Sequence, residues 1–214
     1  MVNQLLRDKD TIMKGAIKHI KDNQRICDEL MSLRDYDLDT YYHAMRVAEI
    51  SIIMALYMQA PKVELEHLAV GAILHDIGKQ DILKSILCKP DRLTPNDWVA
   101  IRAHPEKGYK RLLNLGVKND IILNSVVQHH ERNNGQGYPR GIKGNEISVW
   151  AKVLGTADVF EALTHKRHYK EAVTYDIALN IMRNSTELQG YESFVKVLSD
   201  LQKLDPDGSK LFNL

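Results

Sequence analysis

The sequence predicts an all-α protein, and three of its features support that fold class. Apolar residues recur three and four positions apart through most of the 214 residues, which is the spacing of amphipathic helices. Long alternating runs of β-branched residues, which would indicate strands, are missing. Prolines, glycines and capping residues divide the chain into segments of helical length. We therefore expect a single helical domain, with or without a small appendage.

The first elements are an amphipathic segment and two strongly apolar helices. Residues 1–33 are predicted to form one or two amphipathic helices, and three roles are open for them: to cap the core, to mediate dimerisation or to receive a partner. The helix from Asp39 to Gln59 is apolar over much of its circumference, so it should lie mostly inside. The helix from Val63 to Ile77 ends before Gly78, a residue suited to helix termination.

The following helices have recognisable start signals. A short helix opens at Thr94, where threonine can cap and Pro95 takes the first turn. Another helix follows His104 and Pro105 in the same way.

The last part of the chain contains one structured loop among helices. Asn119 or Asp120 caps a helix that runs to about His130. Residues 133–144 contain four glycines and one proline, which predicts a structured loop. The remaining predicted helices span Ile147–Thr164, Thr174–Asn184 and Tyr191–Lys203.

Composition excludes several classes of protein. Lys and Arg total 29 against 28 Asp and Glu, and the resulting net charge of +1 disfavours a general nucleic-acid binder. The longest apolar run, Ile50 to Met58, is too short to span a bilayer, so we expect no membrane anchor and no targeting segment. Cys27 and Cys88 form no CxxC pair, which favours a reducing, cytoplasmic location.

Clustered histidines are the strongest chemical signal. Of nine histidines, five lie beside acidic residues or each other at predicted helix ends: His43, His75 with Asp76, His104, and the pair His129 and His130. Asp158 adds a carboxylate to an apolar stretch, where an unpaired charge would be costly. Imidazole and carboxylate are ligands of first-row divalent metals, and this set exceeds the needs of one ion.

Each of these residues taken alone is more often a surface group or a hydrogen-bonded core residue than a ligand. Taken together, they would need several unrelated explanations, so a site for two or more metal ions is the better interpretation. The other four histidines, His19, His67, His165 and His168, are expected to have no ligand role.

The order of these motifs resembles the HD-GYP family, a subgroup of the HD phosphohydrolases. The quoted segments are DLDTYYHAMRV from Asp37, AILHDIGK from Ala72, SILCKPDRLT from Ser85, HPEKG from His104, HHERNNGQGYPRGIKGNEI from His129 and ADVFEALTHKRHYKEA from Ala157. The resemblance covers roughly two thirds of the chain. It implies an HD-domain helical bundle with a metal site in its core, formed by residues 34–214 and preceded by the N-terminal helical segment 1–33.

The resemblance also implies roles for individual residues. The metal ligands would be His43, His75, Asp76, His104, His129, His130 and Asp158, with Asp76 shared between two metals. Asp39 stands where some family members place a glutamate that supports a third metal; the shorter aspartate leaves open whether this chain binds two ions or three. Mixed nitrogen and oxygen ligands suit iron or manganese.

The substrate contacts implied by the resemblance surround this metal site. Lys79, Arg167 and Lys170 match phosphate-contacting positions, and Lys79 joins Asp76 as a catalytic residue. Tyr138 of the Gly137–Pro139 triplet contacts substrate or only shapes the pocket wall. Glu161 either orients Lys79 through an ion pair or is an ordinary exposed acid.

Two departures from the family pattern concern substrate affinity rather than metal binding. The usual arginine-proline-tyrosine motif reads Arg167–Tyr169 here with histidine in the middle, and the C-terminal phenylalanine-aspartate-proline signature is replaced by GYESF at residues 190–194.

The activity implied is metal-assisted hydrolysis of cyclic di-GMP to pGpG, with or without further cleavage to GMP, in bacterial second-messenger signalling. Two alternatives stay open: hydrolysis of another cyclic dinucleotide or nucleotide, and a signalling module that binds cyclic di-GMP with low turnover. Two protein partners stay open for this chain: a second copy of itself, in a homodimer, and a cyclic di-GMP synthase.

Overall fold

The computed structural model describes residues 1–166 and 172–212, and in those residues every regular element is helical. The predicted all-α fold class is therefore confirmed. In chain order the α-helices are α1 Val2–Asp22, α2 Gln24–Tyr36, α3 Leu38–Tyr57, α4 Lys62–Leu74, α5 Lys84–Leu87, α6 Pro95–Arg102, α7 His104–Asn114, α8 Asp120–Gln128, α9 Val149–Thr164, α10 Tyr175–Asn184 and α11 Glu192–Leu204. Short 3-10 turns lie at Ile77–Asp81, Gly144–Glu146 and Thr186–Leu188.

The predicted start signals form the expected caps. The Thr94 hydroxyl accepts a hydrogen bond from Asp97 N at 3.2 Å, and the Asp97 carboxylate accepts one from Thr94 N at 2.8 Å, so a capping box begins α6. Asn119, not Asp120, caps α8, because its side-chain oxygen accepts from two backbone N–H groups of the first turn. Thr174 caps α10 in the same manner.

One helix ends earlier than the sequence predicts. We expected α4 to reach Ile77, but it ends at Leu74, and the chain tightens into the 3-10 turn that follows Asp76. A proline or an exposed glycine does not cause this end. The backbone changes from α-helical to 3-10 geometry where it passes close to the start of α7. His75 and Asp76 therefore lie between the end of α4 and the 3-10 turn.

The core lies around α3 and α4, which pack against each other and carry mainly buried apolar side chains. Helix α3 also contacts α9, and α4 contacts α8, so the two central helices connect the elements that bear the clustered histidines. The prediction that α3 is mostly internal is confirmed.

The N-terminal helices belong to the same core. Ile12 and Ala16 of α1, and Ile26 and Leu33 of α2, are almost completely buried. Helix α1 packs against both α3 and α4, so capping the core is the role that the described contacts show. The predicted division of the chain at residue 33 stays a prediction. Among the described helices, none combines the length and apolarity that crossing a membrane requires.

Candidate metal centre

Five helices bring the predicted ligands together in one buried cluster. His43 comes from α3, His75 and Asp76 follow α4, His104 begins α7, His129 and His130 follow α8, and Asp158 comes from α9. Their nitrogen and oxygen atoms form three overlapping groups, each with members within 4.8 Å of one another: His43, His75 and Asp158; His75, Asp76 and His129; and His104, His129 and His130.

Close backbone contacts at two glycines set the positions of two of these histidines. A Cβ atom on Gly78 would lie 2.1 Å from the carbonyl oxygen of His104, so only glycine lets the 3-10 turn approach the start of α7 this closely. A Cβ atom on Gly155 would lie 2.4 Å from the carbonyl oxygen of His129 in the same way. Both glycines therefore act on the site by allowing helices to approach a ligand's backbone.

The Nδ1 atoms of four histidines are anchored away from the cluster. In His75, His104 and His129, Nδ1 lies 2.7 to 2.8 Å from the carbonyl oxygen three residues earlier. His43 Nδ1 lies 2.5 Å from the carboxylate of Glu161. Because a carbonyl or ionised carboxylate oxygen only accepts, each Nδ1 carries a proton, and Nε2 is the ring nitrogen that faces the cluster.

Several inward-facing atoms then have no suitable partner among residues 1–166 and 172–212. His104 Nε2 and His129 Nε2 lie 3.3 Å apart, which brings two lone pairs together. His75 Nε2 and Asp76 Oδ1 are buried and form no hydrogen bond with any described residue, although His104 Nε2 lies 3.1 Å from that oxygen. Facing lone pairs and unpaired buried acceptors fit a site built for cations, because a metal ion satisfies each of them.

The protonation states suit metal binding. Burial opposes ionisation of Asp76, but Lys79 and His75 outweigh it and hold the pKa of Asp76 well below its usual value. Burial also opposes ionisation of Asp158, but His43, whose Nε2 lies 3.1 Å from Asp158 Oδ1, and the surrounding imidazoles lower its pKa. Burial, together with the neighbouring imidazoles, lowers the pKa values of His129 and His130. At neutral pH both carboxylates are therefore anions and both imidazoles are neutral, which are the states in which these groups bind a metal ion.

His75 responds in the opposite direction. Its burial would lower the pKa, but the adjacent Asp76 carboxylate outweighs burial and raises it. A cation between these two groups would replace the proton as the partner of Asp76.

Glu161 has neither of the two roles considered for it from sequence. It is completely buried, and its carboxylate pairs with His43 and, at 2.7 to 2.8 Å, with the guanidinium of Arg46. The Lys79 ammonium instead lies 2.6 Å from Asp76 Oδ2. Arg46, three residues after His43 and thus on the same side of α3, was missed by the sequence analysis.

Part of the cluster is accessible to solvent. The side chains of His130, Asp158 and Lys79 are 12% to 17% exposed, whereas those of His75, Asp76 and His104 are 1% exposed. Substrate access is therefore possible past His130 and Lys79.

Tyr138 lies at this opening. Its ring packs against the His130 ring, with centroids 4.6 Å apart, and burial is the largest cause that raises the pKa of its hydroxyl. The backbone N–H of Tyr138 donates to the His130 carbonyl, so the loop is attached directly to the histidine pair.

Some of the remaining predicted residues lie away from the cluster. Asp39 is exposed in the first turn of α3 and belongs to none of the three groups found in the described residues, so its third-metal role stays a prediction. Arg167 and Lys170 lie outside the described residues, as does His168. His19 and His67 contact each other edge to face elsewhere, and His165 lies 3.9 Å from Glu161.

Comparison with known proteins identifies the family of this chain. Residues 18–192 match the HD domain family. A cyclic di-GMP phosphodiesterase of Pseudomonas aeruginosa is 31% identical over 79% of this chain and 42% of its own length. A 3'3'-cGAMP-specific phosphodiesterase of Vibrio cholerae is 36% identical over 67% of this chain and 31% of its own length. The chain thus spans less than half the length of these relatives.

Solved structures support the fold. An HDG"Y"P protein of Bdellovibrio bacteriovorus matches 95% of this chain and 65% of its own, with a TM-score of 0.66 and 22% identity. The HD domain of the Listeria monocytogenes phosphodiesterase PgpH, solved with cyclic-di-AMP, matches 83% of this chain and 96% of its own, with a TM-score of 0.58 and 20% identity.

Proposed function

This chain belongs to the HD domain family, in its HD-GYP group, and from that membership we propose that it is a metal-dependent phosphodiesterase that hydrolyses cyclic di-GMP. The observation that carries the proposal is the convergence of inward-facing imidazole nitrogens on two buried, ionised aspartates at a site that is partly accessible to solvent. Metal-assisted hydrolysis of a phosphodiester uses this combination of ligands and access.

We propose that two divalent metal ions, iron or manganese, are held by His43, His75, Asp76, His104, His129, His130 and Asp158. When bound, such ions supply Lewis acidity that neutralises phosphoryl charge and acidifies water. Asp39 would contribute only if a third ion binds.

The protein's own groups would orient and stabilise the substrate. Lys79 holds the Asp76 carboxylate in its ionised form at 2.6 Å, and its partly exposed ammonium lies at the site's opening, where charge develops on the phosphoryl oxygens. Tyr138 forms one wall of the opening beside His130. Arg167 and Lys170 are proposed as further phosphate contacts.

The products would be pGpG and, after a second cleavage, GMP, with the ribose 3' oxygen as leaving group. We place the reaction in the cytoplasm, where free thiols such as those of Cys27 and Cys88 persist.

A second candidate keeps the reaction and changes the substrate to another cyclic dinucleotide. It is favoured by the similarity to 3'3'-cGAMP-specific phosphodiesterases of Vibrio cholerae. A product assay with cyclic di-GMP, 3'3'-cGAMP and cyclic di-AMP on manganese-loaded protein and anaerobically iron-loaded protein distinguishes the two. The first proposal is supported if cyclic di-GMP is hydrolysed to pGpG or GMP with the highest kcat/KM of the three substrates.

The variant Asp76→Asn tests the metal site, because it keeps the shape of the side chain and removes its charge. We expect turnover to fall by about a thousandfold or more, because the shared ligand of the metal pair is lost. The helical circular-dichroism spectrum should persist. Unchanged hydrolysis by this variant would refute the assignment of the site.

Tight binding of cyclic di-GMP without product over hours would instead support the low-turnover signalling module.

A further inference from the structure

A continuous line of four side chains leads from the metal centre to the protein surface. The Tyr138 ring packs on the His130 ring at 4.6 Å between centroids. The guanidinium carbon of Arg102 lies 5.3 Å from the Tyr138 ring centroid and 6.0 Å from the Trp98 ring centroid. One arginine therefore connects an aromatic group at the site's opening to an aromatic group on α6.

The outer end of this line is unusually exposed. Helix α6 buries none of its residues, and Trp98 is 48% exposed. Arg102 is also exposed and forms no ion pair with a carboxylate in the described part of the chain. Because α6 contributes nothing to the buried core, core packing does not explain an exposed indole next to a guanidinium that has no carboxylate partner among the described residues.

The chemistry of this pair matches a purine base. Nucleobases stack on the faces of aromatic side chains, and this contact is available on the exposed Trp98 ring. A guanidinium can donate two parallel hydrogen bonds to O6 and N7 of guanine. Adenine presents an amino group in place of O6, so an arginine distinguishes the two purines.

The position of the pair matches the reaction as well. The line begins at His130 and Tyr138, on the side where the metal centre is open. In a nucleotide a single ribose separates the phosphate from the base, so the base of a phosphodiester held at the metal centre would extend outward past His130 and Tyr138.

We propose that Trp98 and Arg102 form a guanine-binding platform, in which one base of the cyclic dinucleotide stacks on Trp98 and receives hydrogen bonds from Arg102. This assignment rests on the proposed function and adds the residues that select the base. One guanine in the substrate is enough to use the platform.

The test compares substrates with and without a purine. Values of kcat/KM are measured with manganese-loaded protein for cyclic di-GMP, cyclic di-AMP and bis(p-nitrophenyl) phosphate, a diester that carries no base. We expect Trp98→Ala and Arg102→Ala to lower the ratio of kcat/KM for cyclic di-GMP to that for bis(p-nitrophenyl) phosphate by about tenfold. Arg102→Ala should also reduce the preference for cyclic di-GMP over cyclic di-AMP.

Val99→Ala is the control, because Val99 is 71% exposed on the same helix and lies outside the line of contacts. It should leave both ratios unchanged. If the Trp98 and Arg102 variants lower activity equally on all three substrates, or leave the ratios unchanged, the platform is wrong.

Tryptophan fluorescence measures binding of the base independently of hydrolysis, so it tests this proposal and the proposed function separately. The chain has two tryptophans, and Trp150 is 7% exposed, so quenching on addition of cyclic di-GMP should come from Trp98 and disappear in Trp98→Phe. Quenching by Trp98 without hydrolysis would support the platform and overturn the phosphodiesterase. Hydrolysis without quenching would leave the phosphodiesterase and overturn the platform. Neither binding nor hydrolysis would overturn both.

Discussion

At the scale of single residues, the site depends on which ring nitrogen of each histidine carries a proton. The residue types and their order indicate a metal centre, but the tautomer depends on where each Nδ1 finds an acceptor. For His75, His104 and His129 that acceptor is a carbonyl three residues earlier, at a helix end or turn. These local contacts leave the Nε2 atoms directed at the cluster.

His43 differs because its acceptor is a carboxylate. Glu161 accepts from His43 and is itself held by Arg46, so changing it to glutamine weakens both the orientation and the basicity of the ligand. We expect Glu161→Gln to lower metal affinity by about tenfold to a hundredfold, measured by competition with a chelator. Glu187→Gln is the exposed control. An affinity that does not change in Glu161→Gln would contradict the positioning role.

The stability of the metal-free protein should depend on pH through His130. Its pKa is lowered in the folded state, so as pH falls below about 6.5 the unfolded chain takes up a proton that the folded chain does not. This favours unfolding in mild acid, by about 1.4 kcal/mol between pH 7.5 and 5.5.

His75 opposes this trend, since its raised pKa contributes stability that is present below pH 6.5 and is lost as pH rises through the folded-state value. The His130 contribution is therefore isolated by difference. Urea unfolding of the chelated protein at pH 7.5 and 5.5 measures the stability that is lost in acid. This loss should be smaller by about 1.4 kcal/mol in His130→Gln than in the parent protein. An equal loss in both proteins would rule out the lowered pKa.

At the scale of elements, the contact between the 3-10 turn Ile77–Asp81 and helix α7 decides how Asp76 meets His104. The sequence predicted a helix that continued to Ile77, because apolar periodicity does continue. The observed end at Leu74 depends on α7, which lies far along the chain and cannot be located from a local pattern.

Gly78→Ala tests this contact. The added Cβ would lie 2.1 Å from the His104 carbonyl oxygen and 2.5 Å from the Gly108 nitrogen, so backbone must shift. We expect a loss of stability of about 2 kcal/mol or more, measured by urea unfolding, together with weaker metal binding. Gly116→Asn is the control, since a Cβ there meets nothing within 4 Å and asparagine tolerates a positive φ. Equal stability of Gly78→Ala and the parent protein would show that the close approach is not required.

At the scale of the whole molecule, the N-terminal helices and the histidine-bearing helices share one core. Trp150 of α9 donates a hydrogen bond to Glu64 of α4, and α4 in turn packs against α1. We expect chemical unfolding to occur in one transition, with circular dichroism and Trp150 fluorescence coincident, and deletion of residues 1–33 to abolish it. A truncated protein that still unfolds cooperatively would show that the segment is an independent appendage.

Most helices and the whole set of clustered ligands could be predicted because their signals are local or are carried by short motifs. Thr94, Asn119 and Thr174 cap the helices they were expected to begin, and the six-motif order predicted which histidines meet. The partner of His43 could not be predicted, because Glu161 lies 118 positions away and only packing of α3 on α9 brings it there. Arg167 and Lys170 lie outside the described residues, so their roles stay predictions.

The central claim is that the buried imidazoles and aspartates bind a pair of catalytic metal ions. The most direct measurement is an anomalous difference map from crystals grown anaerobically with manganese. The account predicts two peaks inside the cluster, both in contact with Asp76, and their loss in Asp76→Asn. A map with no peak among His43, His75, His104, His129 and Asp158, from protein that is saturated with manganese, would contradict it.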